Sequence, residues 1–209
     1  MRRGQYAQGL LASVMLLAGD LVGQASTSIG RGGGGLFASV GVGYGYYDQG
    51  CTGSNCYGGG GGTRARRGPT GYATIGLTVA SWLRLGVEAR AWTGTITDPV
   101  TQWSYHRTTS FYGLMASFYP THSNFWIKLG PGYVLNSIES PSQVGMLTQL
   151  NGFAGGSGLG YDLVFGRRVA VIPYVNFFYQ FSGGAVGAPY HANVTAQLWQ
   201  AGVALGLRH

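Results

Sequence analysis

Eight times along the chain, apolar side chains alternate with small or polar ones at a period of two, and this pattern restricts the fold more than any other feature. Successive residues of a strand point to opposite faces, so strict alternation describes a β-strand with one apolar face. The clearest case is 83–92, where Leu83, Leu85, Val87, Ala89 and Ala91 share one face and Arg84, Gly86, Glu88, Arg90 and Trp92 share the other. Leu36, Ala38, Val40, Val42, Tyr44 and Tyr46 are set against Ser39, Gly41, Gly43 and Gly45. Ala73, Ile75, Leu77 and Val79 are set against Thr74, Gly76 and Thr78. The pattern returns at 109–119, 124–136, 168–182 and 194–207, carried by residues such as Leu114, Leu129, Val175 and Val203. A Gly-rich run at 149–161, with Phe153, Leu159 and Tyr161, is the weakest instance, because a slip of one residue exchanges its two faces. After the N-terminal region no segment keeps a long helical period.

The connections narrow the choice further. They alternate long and short: long at 48–69, 95–108, 137–148 and 183–193, short near Ser81-Trp82, 120–123 and 162–167. Soluble sandwiches have no physical reason to keep that asymmetry. An up-and-down transmembrane barrel does, with short turns on the periplasmic side and longer loops outside. In hydrocarbon every backbone N–H and C=O must be paired within the protein, which closes the sheet. The fold class predicted is therefore all-β, an eight-stranded antiparallel up-and-down transmembrane barrel. Its apolar faces meet lipid, and its small and charged faces line the lumen. A soluble ligand-binding barrel of the lipocalin type would need the opposite arrangement, which the inward placement of Arg84, Glu88 and Arg90 opposes.

Composition agrees. Charged residues make up 9% of the 209, far below what a water-facing surface uses, while glycine reaches 39 and tyrosine 14. The first residues read as a secretory signal peptide: Arg2 and Arg3, an apolar stretch from Leu10 to Ala18, then Gly23-Gln24-Ala25 before the cut. The expected organisation is a cleaved signal over 1–25 and a barrel domain over 26–209. Without Arg2, Arg3 and Asp20, 11 of the 13 basic and 5 of the 6 acidic residues remain, so the mature charge is +6. Cys51 and Cys56 lie close together in a Gly/Ser/Asn-rich stretch. In an exported chain such a pair reads as a local disulfide, and a two-ligand set is too small for structural zinc.

An eight-stranded barrel is just wide enough for side chains to fill it. Arg84, Glu88, Arg90 and Lys128 fall on inward faces, so a lumenal network of paired charges is expected, plugging and stiffening the barrel; a narrow ion path is the alternative. Tyr44, Tyr46, Tyr47, Trp103 and Tyr105 near one set of strand ends, and Trp82, Phe118, Tyr119, Phe125 and Trp126 near the other, are expected to form two interfacial girdles. Arg64, Arg66 and Arg67 follow a glycine run in the first long connection and read as a basic outer loop that can face lipopolysaccharide phosphates. No helix follows that run, and the Gly41-Val42-Gly43 and Gly158-Leu159-Gly160 patterns sit within strands, so neither nucleotide binding nor any nucleic-acid partner is expected. His122-Ser123 would face opposite ways on a strand and lacks a nearby carboxylate. His106 and His191 show no partner set, and no catalytic residue, metal or cofactor is assigned.

The whole pattern over 36–209 resembles the small outer-membrane β-barrel family that includes OmpA-type, OmpX-type and opacity-type proteins. Residues 111–120 and 128–133 look like that family's fourth and fifth strands. Gln200, Gly202, Leu205 and Leu207 occupy the places of its C-terminal assembly signal, although Arg208-His209 follows where the family closes on an aromatic residue. The resemblance implies a Gram-negative outer membrane, recognition by the barrel-assembly machinery and contact with outer-membrane lipid and lipopolysaccharide. It does not imply one activity. The expected role is structural or surface-interactive, as a monomer with extracellular loops. A narrow pore is the alternative, and a lipid-A-modifying enzyme ranks below both.

Overall fold

A computed structural model describes residues 35–52, 63–97, 104–120, 123–139, 147–165, 168–181, 183–186 and 193–208. The leader lies outside these residues, as does Cys56, so the signal-peptide and disulfide expectations lie outside them too. The long strands are β1 (Leu36–Thr52), β2 (Thr63–Ala80), β3 (Leu83–Thr97), β4 (Ser104–Phe118), β5 (Phe125–Glu139), β6 (Leu147–Tyr161), β7 (Val169–Gln180) and β8 (Asn193–Arg208). Two short segments, Leu163–Phe165 and Gly184–Val186, pair with β7 and β6. Each long strand pairs antiparallel with the next, and β8 pairs with β1 through partners such as Val42↔Val203. The sheet is a closed eight-stranded barrel.

The predicted alternation sets which side faces out. Val42, Leu114, Phe153 and Leu205 are 69%, 64%, 65% and 59% exposed, whereas Arg90 and Lys128 are 2% exposed and Glu88 is 4%. A soluble protein buries its apolar residues and exposes its ions. Here the order is reversed, as lipid requires. In the Gly-rich strand β6, whose register the sequence leaves open, Phe153, Leu159 and Tyr161 all point outward.

Aromatic rows bound the apolar belt. At the outer level Tyr112 stands opposite Tyr133, which stands opposite Phe153, and Tyr46 opposite Trp199. At the periplasmic level Trp82 packs near-parallel to Phe118, with ring centroids 6.3 Å apart. The strand path from Phe153 to Tyr161 covers roughly 26 Å, or about 20 Å along the axis at a tilt near 40°. Three residues expected in these girdles are elsewhere: Tyr47, Tyr119 and Trp126 are buried inside the barrel. Trp103 and the side chain of Tyr105 lie outside the described residues.

The strands are longer than a membrane crossing needs, up to 18 residues in β2. β1 and β2 continue pairing beyond the Tyr46↔Arg67 pair of the outer girdle, with Tyr47↔Arg66 and Gln49↔Thr63. The first long connection is therefore shorter than 48–69, and Arg64, Arg66 and Arg67 belong to β2 rather than to a loop. The physical reason is backbone pairing, which continues in water without an apolar face to announce it.

Candidate functional site

Three layers of side chains fill the lumen. The lowest is built on Asp162, the residue just after β6, which is fully buried. Its carboxylate accepts hydrogen bonds from Trp126 Nε1 at 2.9 Å, Tyr119 Oη at 3.0 Å and Arg84 Nη1 at 3.2 Å. The Arg84 guanidinium lies 4.4 Å from the Tyr119 ring centroid and 5.4 Å from that of Phe37. β1, β3, β5 and the turns flanking β4 and β6 thus meet around one carboxylate. Charge-assisted hydrogen bonds of this kind are about twice as strong as neutral ones.

The middle layer is built on Glu88. Glu88 and Arg90 are two apart on β3 and share the inner face, so the Arg90 Nε reaches the Glu88 carboxylate directly. Lys128, from β5, donates to the other carboxylate oxygen at 2.5 Å. Arg90 also donates through Nη1 to the Phe177 carbonyl at 2.7 Å. Lys128 Nζ sits 4.3 Å from the Tyr72 ring centroid, and the Arg90 guanidinium 4.9 Å from that of Phe111. The four predicted lumenal charges are therefore divided between layers. Glu88, Arg90 and Lys128 form one cluster, and Arg84 belongs to the cluster of Asp162. A cavity of about 30 Å³ lies between them, lined among others by Tyr72, Thr74, Ser117 and Ile172.

Above Arg90 the lumen is closed by rings. Phe111 packs near-parallel to Phe178 at 5.5 Å, and Trp92 on Tyr47 at 4.8 Å. Space for Phe111 comes from glycines: a Cβ at Gly113, Gly132 or Gly156 would collide with its ring. This is why β4, β5 and β6 carry glycine at those inward positions.

The outer layer has Asn136 at its centre. Asn136 Oδ1 accepts from Thr109 Oγ1 at 2.6 Å and Tyr47 Oη at 3.2 Å, while its Nδ2 donates to Gln180 Oε1 at 3.1 Å. Arg107 lies over the Tyr47 ring, 4.9 Å from its centroid. It is 2% exposed, and its Nε and Nη2 have no hydrogen-bond partner.

The sequence singled out neither Asp162 nor this outer layer. A polar residue at an inward position of an otherwise apolar strand, as at Asn136, Asn176, Gln180 and Gln200, was the available signal. Gln200 is buried and donates to Gly71 O and Tyr174 Oη, both at 3.2 Å, whereas Leu205 and Leu207 face outward. Gly202 sits where β8 passes so close to β1 that a Cβ would meet the Val42 carbonyl. His106 is on the outer wall, its Nε2 2.9 Å from Thr93 Oγ1. His122 and His191 lie outside the described residues. Among the described residues no group of three His, Cys, Asp or Glu side chains is placed to hold a metal.

No family model matches the chain. No curated protein matches it either. Solved structures do. Neisserial surface protein A superposes with a TM-score of 0.52 at 12% identity, over 87% of this chain and 100% of that one. The outer membrane protein OprG from Pseudomonas aeruginosa superposes with a TM-score of 0.50 at 13% identity, over 86% of this chain and 98% of that one. The fold is that of the small bacterial outer-membrane barrels, and with its apolar belt turned outward the chain is an integral outer-membrane protein.

Proposed function

We propose that this outer-membrane barrel has a structural and surface-interactive, adhesion-like role, working through its outer end rather than through a conducting lumen or a catalytic site. The observation that carries this is the stacked lumen: a salt-bridged layer on Asp162, a second on Glu88, then the Phe111–Phe178 and Trp92–Tyr47 pairs. A solute would have to displace every layer to cross. The strands also continue past the outer aromatic row, lifting the outer rim away from lipid.

The partners follow from the surfaces. The belt contacts lipid, and the exposed Arg67, opposite Tyr46 in the β1–β2 ladder, stands at the level where lipopolysaccharide phosphates would meet it. Gln200, Gly202, Leu205 and Leu207 are the residues the barrel-assembly machinery would read. A closed barrel leaves no sheet edge to pair with a second copy, which favours a monomer. Purified protein in planar bilayers tests the proposal. No discrete conductance is expected, and stable unitary currents would overturn it in favour of a narrow conduit. Mass analysis of lipid A from cells with and without the gene tests the non-enzymatic part, and a changed acyl pattern would overturn that.

A further inference from the structure

The outer layer differs from the two below it in one chemical respect. Among the described residues its cation has no counter-ion. Arg107 stands on β4 near its outer end at Ser104, facing inward, and takes part in no ion pair among the described residues. A buried charge left without a partner is costly, and a buried N–H without an acceptor adds to that. Asn136 Oδ1 already accepts from Thr109 and Tyr47. Gln180 Nε2 and Trp92 Nε1 are themselves buried donors without partners. Arg107 and the unmet N–H groups of Trp92 and Gln180 are thus linked through Tyr47 and Asn136.

We propose that this outer layer binds a small oxyanion, a phosphate, sulfate or carboxylate group, with Arg107 as its principal ligand. A guanidinium offers a planar fork of N–H donors that matches two oxygens of such a group. The Tyr47 ring centroid lies 4.9 Å from the guanidinium, whose Nε and Nη2 have no hydrogen-bond partner among the described residues. Entry is from outside, because the Phe111–Phe178 pair and the Glu88 cluster close the lumen below. The inference rests on the closed, outward-facing barrel of the preceding section and names the chemistry its outer end would recognise.

The test is a titration of the folded full chain in detergent micelles with inorganic phosphate, and separately with galacturonate, at ionic strength held constant with chloride. The Trp92 indole N–H and the Gln180 side-chain amide are the reporters in nitrogen–proton correlation spectra. Saturable shifts of both are expected. Saturation with phosphate alone assigns a free inorganic anion, and saturation with galacturonate alone an acidic sugar. Arg107→Met is expected to weaken binding at least about tenfold, and Arg107→Lys, which keeps the charge but loses the fork, by less. Heat-dependent gel mobility in SDS confirms that each variant is folded. Reporters unmoved by either anion, or equal binding by Arg107→Met, would overturn the site. A null titration in a barrel that does not conduct leaves the proposed role standing, whereas unitary currents overturn that role whatever the titration shows.

Discussion

The two ends of the lumen solve the same problem differently. At the periplasmic end Arg84 is paired with Asp162, whose carboxylate also accepts from Tyr119 and Trp126. At the outer end Arg107, more deeply enclosed than Arg84, has a tyrosine ring and, among the described residues, no carboxylate. An ion inside a narrow tube needs a partner because its hydration has been stripped away. The lower layers meet that need from within the chain, which suits a seal. The outer layer does not, and a group held at a desolvation cost without an internal partner is the kind of feature found at functional sites rather than at purely structural ones.

The contrast can be broken hardest at Glu88. Glu88→Ala removes the anion between Arg90 and Lys128 and leaves two buried cations facing each other. The expected loss is about 3–5 kcal/mol, measured by urea unfolding in lipid vesicles. Loss of less than about 1 kcal/mol would mean that water reaches this layer and that the lumen is not sealed there.

Asp162→Asn comes next. The amide keeps an oxygen for Trp126 or Tyr119 but removes the charge that Arg84 meets, and Arg84 is partly exposed. The expected cost is about 2–3 kcal/mol, seen as a lower temperature for loss of the folded band in SDS. Gly132→Val acts above both charged layers. It drives a branched side chain into the Phe111 ring, and the overpacking is expected to cost about 1–3 kcal/mol. Gly132→Ala should cost less, and an equal cost for both would point to backbone strain instead of ring collision.

Much of this molecule was legible in its residue order, and the parts that were not share a cause. Alternation identifies a strand only where its two faces meet different media. Leu83 to Trp92 lies between lipid and lumen, so its period is clear. Thr93–Thr97 and Thr63–Arg67 pair in the same sheet, but in sequence they do not alternate an apolar face with a polar one. That is why the strands outrun their predicted ends and the basic residues of β2 read as a loop. Turn-proximal aromatics are hidden for a related reason. Tyr119 sits just past β4, where periodicity stops, and bonds Asp162 from the next turn. Trp126, by contrast, shares the inner face of Lys128 by parity and was misplaced by its nearness to the strand end. Sharing of the inner face by Arg84, Glu88, Arg90 and Lys128 was readable from parity. Their division into two layers depends on the stagger between strands, which no single strand's sequence contains.

The smallest expected effect bears most directly on the difference between the two ends. Arg107→Met removes a buried cation that has no carboxylate to leave behind, and the new side chain is apolar and of similar length. Replacing an unsatisfied charge by an apolar group should leave stability unchanged or raise it by up to about 1 kcal/mol. Arg90→Met makes the same chemical change one layer down, but it strips Glu88 of one of its two cations and the Phe177 carbonyl of its guanidinium donor, so it should destabilise. The pair of variants, unfolded side by side in anion-free buffer, separates an arginine kept for the fold from one kept for something else. If Arg107→Met proves as damaging as Arg90→Met, the outer arginine is structural, and the unmatched donors around it are part of the plug.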